Sequence, residues 1–475
     1  MGNRYDLVIV GMGSGGMVAS EFAAGLGLRV AVVERGRVGG DCLWTGCVPS
    51  KALLASAKVA HHLRTADRWG LPACDPVIDT AAVWKRVRAV QHEIAAGDDN
   101  PERFRSMGAE MVSGTARLTG PHSVDVDGRT LATRYILLCT GSRPATPPIP
   151  GLVDAGFLTS ENVFELERPP ERVVAIGGGP IAVELAQGMN RLGIGVTVLQ
   201  KGPGILPRDE PELVAILTRR LREEGVDLRL DVDIERVAVV DGGKVVHGTQ
   251  AGEPTSWEAD ELLVGVGRRP NVEGLGLEEV GVEVGPRGVT VDDRMRSTVA
   301  SVYAAGDVAG RFLFTHSAAH EALRAVRDMY FPGRGTAGDL VPWCTFTDPE
   351  LAHAGLTEAE ARTRHGGAVE VHRLDLSHSD RARADGDTGG RIMAVCGPKG
   401  RLLGASILAA GAGEMIHEFA LVIKDKGRLT DLSGLIHVYP TMSTSIAQVA
   451  AEATFAVARR YRWVTRLARL RPVGR

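Results

Sequence analysis

Two copies of a strand, glycine-rich turn, helix and strand, followed from Val341 by sequence of a different character, predict an α/β protein. The pattern implies two Rossmann-like dinucleotide-binding domains and a third domain of mixed structure. In the first copy, the apolar run Tyr5-Asp6-Leu7-Val8-Ile9-Val10 ends at Gly11-Met12-Gly13-Ser14-Gly15-Gly16. Alanine-rich, helical sequence follows, and Arg29-Val30-Ala31-Val32-Val33-Glu34 reads as the return strand. Gly11, Gly13 and Gly16 permit a tight turn and close approach to a pyrophosphate, the helix start favours the phosphate charge, and Glu34 can accept ribose hydroxyls. Glycine spacing alone is weak evidence; strand, helix and terminal acid together make dinucleotide binding the expected role.

The second copy begins at Arg172-Val173-Val174-Ala175-Ile176, after the polar, proline-bearing linker Glu167-Arg168-Pro169-Pro170. Its turn carries Gly177, Gly178 and Gly179, and its return strand is Gly195-Val196-Thr197-Val198-Leu199. Two such units fit two cofactors. The second ends in Gln200-Lys201, so the acid that would bond an adenosine ribose and repel a 2′-phosphate is missing and a cation follows. NADPH is therefore expected over NADH.

Between the copies lies Gly39-Gly40-Asp41-Cys42-Leu43-Trp44-Thr45-Gly46-Cys47-Val48-Pro49-Ser50-Lys51. Two cysteines five positions apart, close behind a nucleotide turn, point to a flavin beside a redox disulfide. On a regular helix that offset would rotate the side chains roughly 140° apart and separate them by about 7.5 Å, too far for a disulfide. Bent backbone is therefore expected, with Gly46 tolerating dihedrals that other residues resist and Pro49 suiting an early helical position. Cys47 is placed near a helix start, whose partial positive charge favours a thiolate. Cys74, Cys139, Cys344 and Cys396 are scattered without metal-ligand spacing, and no metal site is expected.

The 475 residues, 44% hydrophobic and 24% charged, suit a soluble protein of several domains. A net charge of -3 offers no global basic field for nucleic acid, and no run approaches the length of an apolar membrane span. Residues 1–6 run straight into an apolar strand without a charged and hydrophobic leader, and Asp6 stands where a myristoylation signal has Ser or Thr, so a cytoplasmic location is expected.

With the Cys-x4-Cys motif ending in Pro49-Ser50-Lys51, the paired nucleotide units, Gly306-Asp307, and His437-Val438-Tyr439-Pro440-Thr441, the whole chain resembles the pyridine nucleotide-disulfide oxidoreductases. Dihydrolipoamide dehydrogenase, glutathione reductase and mercuric reductase belong to that group. The resemblance implies an FAD-binding domain over 1–150, completed by a central part over 271–340. An NAD(P)-binding domain over 151–270 and an α+β dimerisation domain over 341–475 are implied with it. It implies that Gly11, Gly13, Gly16 and Glu34 hold the FAD adenosine half and that Asp307 bonds the ribityl chain. Thr140, Gly141, Gly177, Gly179, Lys201 and Gly267 fall at cofactor-binding positions, although the runs 139–144 and 265–271 would by themselves pass as turns. Cys47 becomes the charge-transfer thiol and Cys42 the outer thiol that meets the substrate. Lys51, paired with Glu184, places fixed charge near the flavin. A homodimer is implied, each active site being completed by the partner's C-terminal domain.

The chain also departs from that pattern. Enzymes of the group that act on dithiols carry His directly before Pro-Thr, backed by Glu five residues later; here these are Tyr439 and Thr444. A phenol with a pKa near 10 is a poor proton acceptor at neutral pH, where imidazole near 6.5 is well matched. Tyrosine at this place is similar to mercuric reductases, but the chain ends Arg469-Leu470-Arg471-Pro472-Val473-Gly474-Arg475 without their terminal cysteine pair. His437 is a candidate substitute, because positions 437 and 439 of an extended segment face the same side. His316 and His320, one helical turn apart, read as a solvated or packed helix face. The segment 459–475 has seven arginines and no acid, with Trp463, Val464, Leu467 and Leu470 at helical spacing. It reads as a helix with a solvated basic face, contact with an anionic membrane surface being the alternative. The expected activity is transfer of electrons from NAD(P)H through FAD and the Cys42-Cys47 disulfide to a metal ion, quinone or reactive oxidant. A redox-sensing dimer that binds a partner without sustained turnover is the competing expectation.

Overall fold

The computed structural model describes residues 4–331, 333, 335 and 337–469. The chain divides into two compact units. The first comprises Met1–Ala60, Val77–Gly202 and Arg229–Asp339; the second comprises His61–Pro76, Pro203–Leu228 and Leu340–Arg475.

The first unit is built on β1 (Tyr5–Val10), followed by α1 (Ser14–Gly25) and β2 (Val30–Glu34). β1 lies between β2 and the strand Arg129–Leu138, parallel to both, in a sheet completed by Glu110–Ser113, Val302–Ala304 and an antiparallel pair, Ala116–Gly120 and Ser123–Val126. The apolar runs are explained by burial on both faces. Leu7 and Ile9 enter one core with Val30 and Val32, while Val8 and Val10 enter another with Ala31 and Val33. α1 comes close to the end of β1 because residue 16 lacks a side chain: a Cβ there would stand 1.9 Å from the Gly11 carbonyl oxygen. The second nucleotide motif repeats the plan, with Arg172–Ile176 between Gly195–Leu199 and Glu261–Val264 in parallel and the helix Pro180–Arg191 after the glycine turn. An antiparallel meander, Val232–Val240, Gly243–Gln250 and Glu253–Ala259, shares its core through Val246 and Trp257.

The second unit carries a five-stranded antiparallel sheet in the order Trp343–Thr345, Glu350–Gly355, Leu402–Ala409, Arg391–Cys396, Glu370–Asp375. The helices Ala412–Lys424 and Thr444–Arg460 contribute Met415, Ile416, Phe419, Ile446, Val449 and Ala453 to its core. The architecture is thus the expected α/β arrangement of two nucleotide-type folds with a C-terminal α+β unit. Phe419 is fully buried in that last core. Phe419→Ala is expected to cost about 3–5 kcal/mol in urea unfolding followed by circular dichroism; a loss below about 1 kcal/mol would contradict this packing.

Candidate active site

The helical run through the cysteines breaks where the spacing demands it. Cys42 lies in α2 (Gly40–Trp44) and Cys47 is the first residue of α3 (Cys47–Arg64), leaving Thr45 and Gly46 as the bend. The reason for Gly46 differs from the expected one. Its backbone avoids the left-handed region, and glycine is required because a Cβ would meet the Asp41 carbonyl oxygen at 2.9 Å. Asp41 ties the bend together: its carbonyl accepts from the Thr45 amide at 2.9 Å and its carboxylate from the Thr45 hydroxyl at 3.0 Å. Buried Gln91 donates to the carbonyls of Leu43 and Trp44, and the Trp44 indole donates to Val38 at 2.7 Å beneath the Arg37 guanidinium. The thiol-bearing segment is therefore fixed before any chemistry begins.

Both cysteines are free thiols, and their environments separate them. A hydrogen bond from Cys42 pulls Cys47 down to about 6 against the opposing effect of burial, assisted by the Thr315 hydroxyl at 3.3 Å and the Lys51 charge. The same bond, with burial, pushes Cys42 well above the ordinary thiol range. These opposite shifts favour the proton on Cys42 and the negative charge on Cys47, at the start of an 18-residue helix that favours it. Lys51, one turn further along α3, pairs at 2.8 Å with buried Glu184 of the helix Pro180–Arg191, as expected. Thr315 opens the helix Thr315–Tyr330 and was not foreseen, since nothing in local spacing links it to a cysteine 268 residues away.

The two glycine turns are locked alike. Glu34 accepts from the backbone amides of Met12 and Gly36, both at 2.7 Å, and the Gln200 side-chain oxygen accepts from the Gly178 amide at 2.8 Å. Gln200 therefore fills the role that Glu34 has in the first copy, without the charge. Lys201, the cation that follows Gln200, pairs its ammonium with Asp233 at 3.0 Å on the surface.

The turns at 139–144 and 265–271 come together through the antiparallel strands Ser142–Pro144 and Arg268–Pro270. Thr140 donates to the Asn271 carbonyl at 2.8 Å, the Asn271 amide donates to Gly141 at 2.9 Å, and the Gly267 carbonyl accepts from Ala145. Ser142 donates to Asp307, whose carboxyl is pushed up by burial. Arg268, assigned no role from sequence, ion-pairs with Asp41 and lies 3.5 Å from Asp307, linking the thiol bend to that acid. These residues fit a flavin dinucleotide. At Gly13 a Cβ would meet nothing nearer than the Gly40 Cα at 3.9 Å, so backbone is open to a phosphate there, with Glu34 placed for the ribose and Asp307 for a polyol chain.

At the other motif, in the second unit, His437 and Tyr439 do not share a side. The His437 ring is buried, with Nδ1 against the Leu435 carbonyl at 3.1 Å and Nε2 against Glu418 at 3.0 Å. Tyr439 is exposed and donates its hydroxyl to Asp380 at 2.8 Å, which raises its pKa further. Glu418 draws the imidazole inward while Asp380 holds the phenol out. Thr444 bonds locally, to the Thr441 amide and the Val438 carbonyl. His320 meets the Ala337 carbonyl and His316 stacks on Phe314, in keeping with a packed face; among the described residues no group of three or more His, Cys, Asp or Glu is arranged for a metal.

Comparison with known proteins accounts for this arrangement. Residues 5–322 match the pyridine nucleotide-disulphide oxidoreductase family, and residues 341–450 match its dimerisation domain. The chain is 36% identical over 458 residues to a dihydrolipoyl dehydrogenase of Thermus scotoductus, covering 94% of this chain and 96% of that protein. It is 33% identical over 445 residues to a mercuric reductase of Bacillus cereus, covering 93% and 70%. The structure of a Cu(II) complex of the HOCl-induced flavoprotein disulfide reductase RclA from Escherichia coli superposes with a TM-score of 0.84 at 27% identity, covering 95% of this chain and 99% of that one. With the paired thiols, two nucleotide turns and a dimerisation domain all present, the chain belongs to the pyridine nucleotide-disulphide oxidoreductases, FAD-dependent dimeric flavoproteins.

Proposed function

We propose that this flavoprotein passes electrons from NADPH through FAD and the Cys42-Cys47 pair to an acceptor that is not a simple dithiol or disulfide: a metal ion, a quinone or a reactive oxidant. The observation that carries this reading is how the 437–441 turn uses its candidate bases, Tyr439 being already a donor to Asp380 and both His437 nitrogens being engaged. The first glycine turn, Glu34 and Asp307 would hold FAD, which would supply two-electron transfer between the reduced nucleotide and the disulfide. The chain's own residues then hold the products of that reduction: a proton on Cys42, charge on Cys47, and Lys51 and Thr315 stabilising the thiolate. Oxidation restores the S–S bond, releasing two electrons to the acceptor and the remaining thiol proton to solvent or acceptor. We place FAD on the segments 1–150 and 271–340 and the nicotinamide nucleotide on 151–270, with Gly177, Gly179, Gln200 and Lys201 at its adenosine end.

The thiolate gives a pH test. Cys47 is depressed, so its charge is present above pH 6 and is lost as pH falls through about 6. The long-wavelength thiolate-to-flavin absorption of the two-electron-reduced protein should therefore be half-developed near pH 6, move to higher pH in Thr315→Val, and vanish in Cys47→Ser. A titration centred near the ordinary thiol value, or a band surviving in Cys47→Ser, would reverse the assignment of the thiols.

The neutral amide at Gln200 accepts a 2′-phosphate without repulsion, so kcat/KM should be higher with NADPH than with NADH. Gln200→Glu combined with Lys201→Ala should invert that ratio. Equal or better use of NADH by the parent protein removes the basis for it.

General acid-base catalysis is worth roughly 10²–10⁴-fold, so dihydrolipoamide and glutathione disulfide should turn over at least about 100-fold more slowly than a quinone or a Cu(II) chelate. Tyr439→His with Thr444→Glu should raise disulfide turnover and leave quinone reduction little changed. Efficient disulfide turnover by the parent would overturn the reading, as would NADPH oxidation that stops after one reduction per flavin and disulfide with every acceptor.

A further inference from the structure

The match to the family's dimerisation domain ends at residue 450, but the folded chain does not. The helix Thr444–Arg460 continues past it, and a second helix, Arg462–Ala468, follows. The inner face of the first helix is accounted for, with Ile446, Val449, Ala450 and Ala453 in the core of its unit. Beyond Ala453 large apolar side chains turn outward: Phe455, Tyr461 and Trp463 are exposed by 61%, 56% and 58%, and Val457 and Val464 stand out beside them. Exposed arginines interleave with them at 459, 462, 466 and 469. From Ala453 to Arg475 there are seven arginines and no acidic residue, in a chain whose net charge is -3.

Aromatic residues and arginines side by side, in a stretch whose own sequence holds no acid, select among partners. Nucleic acid rewards the cations but not the Val and Phe surface. A second copy of the same face would bring like charges together. A lipid surface rich in anionic headgroups satisfies both: guanidinium groups meet phosphates while arginine stems and Trp, Tyr and Phe rings settle at the headgroup boundary. No helix among the described residues is long and apolar enough to cross a membrane, so the segment would lie along the surface. We propose that the end of the helix Thr444–Arg460 and the helix Arg462–Ala468 dock this protein on an anionic lipid bilayer, a role independent of the acceptor's identity.

The test is co-sedimentation of the full-length, flavin-loaded protein with extruded vesicles of phosphatidylcholine, with or without phosphatidylglycerol, over a range of salt. Binding should require phosphatidylglycerol and weaken as salt rises. At about fivefold per arginine, the triple change Arg459→Gln, Arg466→Gln, Arg469→Gln should lower vesicle affinity roughly 100-fold. Phe455→Ser with Trp463→Ser should also weaken it, while NADPH oxidation in solution and the dimer's sedimentation coefficient stay unchanged. Equal binding to neutral and anionic vesicles, no binding to either, or undiminished binding by the arginine variant would overturn the proposal. A variant that sediments as a monomer would overturn it too, by assigning this face to contact between copies.

Discussion

The chemistry of this chain depends on a single proton shared unequally between two sulfurs. Because Cys42 is half-buried and hydrogen-bonds to Cys47, its own thiol is pushed up and that of Cys47 is drawn down, which favours a single negative charge on Cys47. Two neutral thiols would be poor nucleophiles, and two adjacent thiolates would repel each other. The rest of the local architecture preserves this asymmetry. The bend at Thr45-Gly46 sets the sulfurs' approach, the start of α3 and Lys51 favour charge at Cys47, and Gln91 prevents Leu43 and Trp44 from slipping.

A second constraint is continuity of polar contacts across distant parts of the sequence. Asp41, next to Cys42, is joined through Arg268 to Ser142 and Asp307, so one guanidinium ties the thiol bend to the acid expected to hold the ribityl chain. Arg268 is mostly buried, and an arginine there can be satisfied only if its acidic partners stay in place. Displacement of the thiol bend would leave buried charge uncompensated.

Legibility in the sequence followed how local the causes were. Strands and helices around both glycine turns were readable because continuous apolar runs and turn chemistry are local; the close packing at Gly16 is the same signal seen from the backbone. Lys51 and Glu184 were foreseen only through the family resemblance, as they are 133 positions apart. Thr315 and Arg268 were not foreseen, because a hydroxyl opening a helix and a second arginine in a turn look ordinary until the fold brings them to the thiols. Gly46 was recognised as necessary for the wrong reason, its role being to admit a carbonyl rather than to adopt an unusual dihedral. The 437–439 pair was misread because strand-like alternation says nothing of Glu418 or Asp380, which draw the two rings in different directions.

The matched locks at Glu34 and Gln200 have a consequence for how two similar ligands find their seats. Both turns use a side-chain oxygen at the end of the second strand to hold a backbone amide of the glycine loop, so shape alone distinguishes them poorly. Charge distinguishes them well. A phosphorylated ribose would meet a carboxylate in the first turn and an uncharged amide in the second, so a one-group difference between the copies would disfavour such a ligand at the first turn alone.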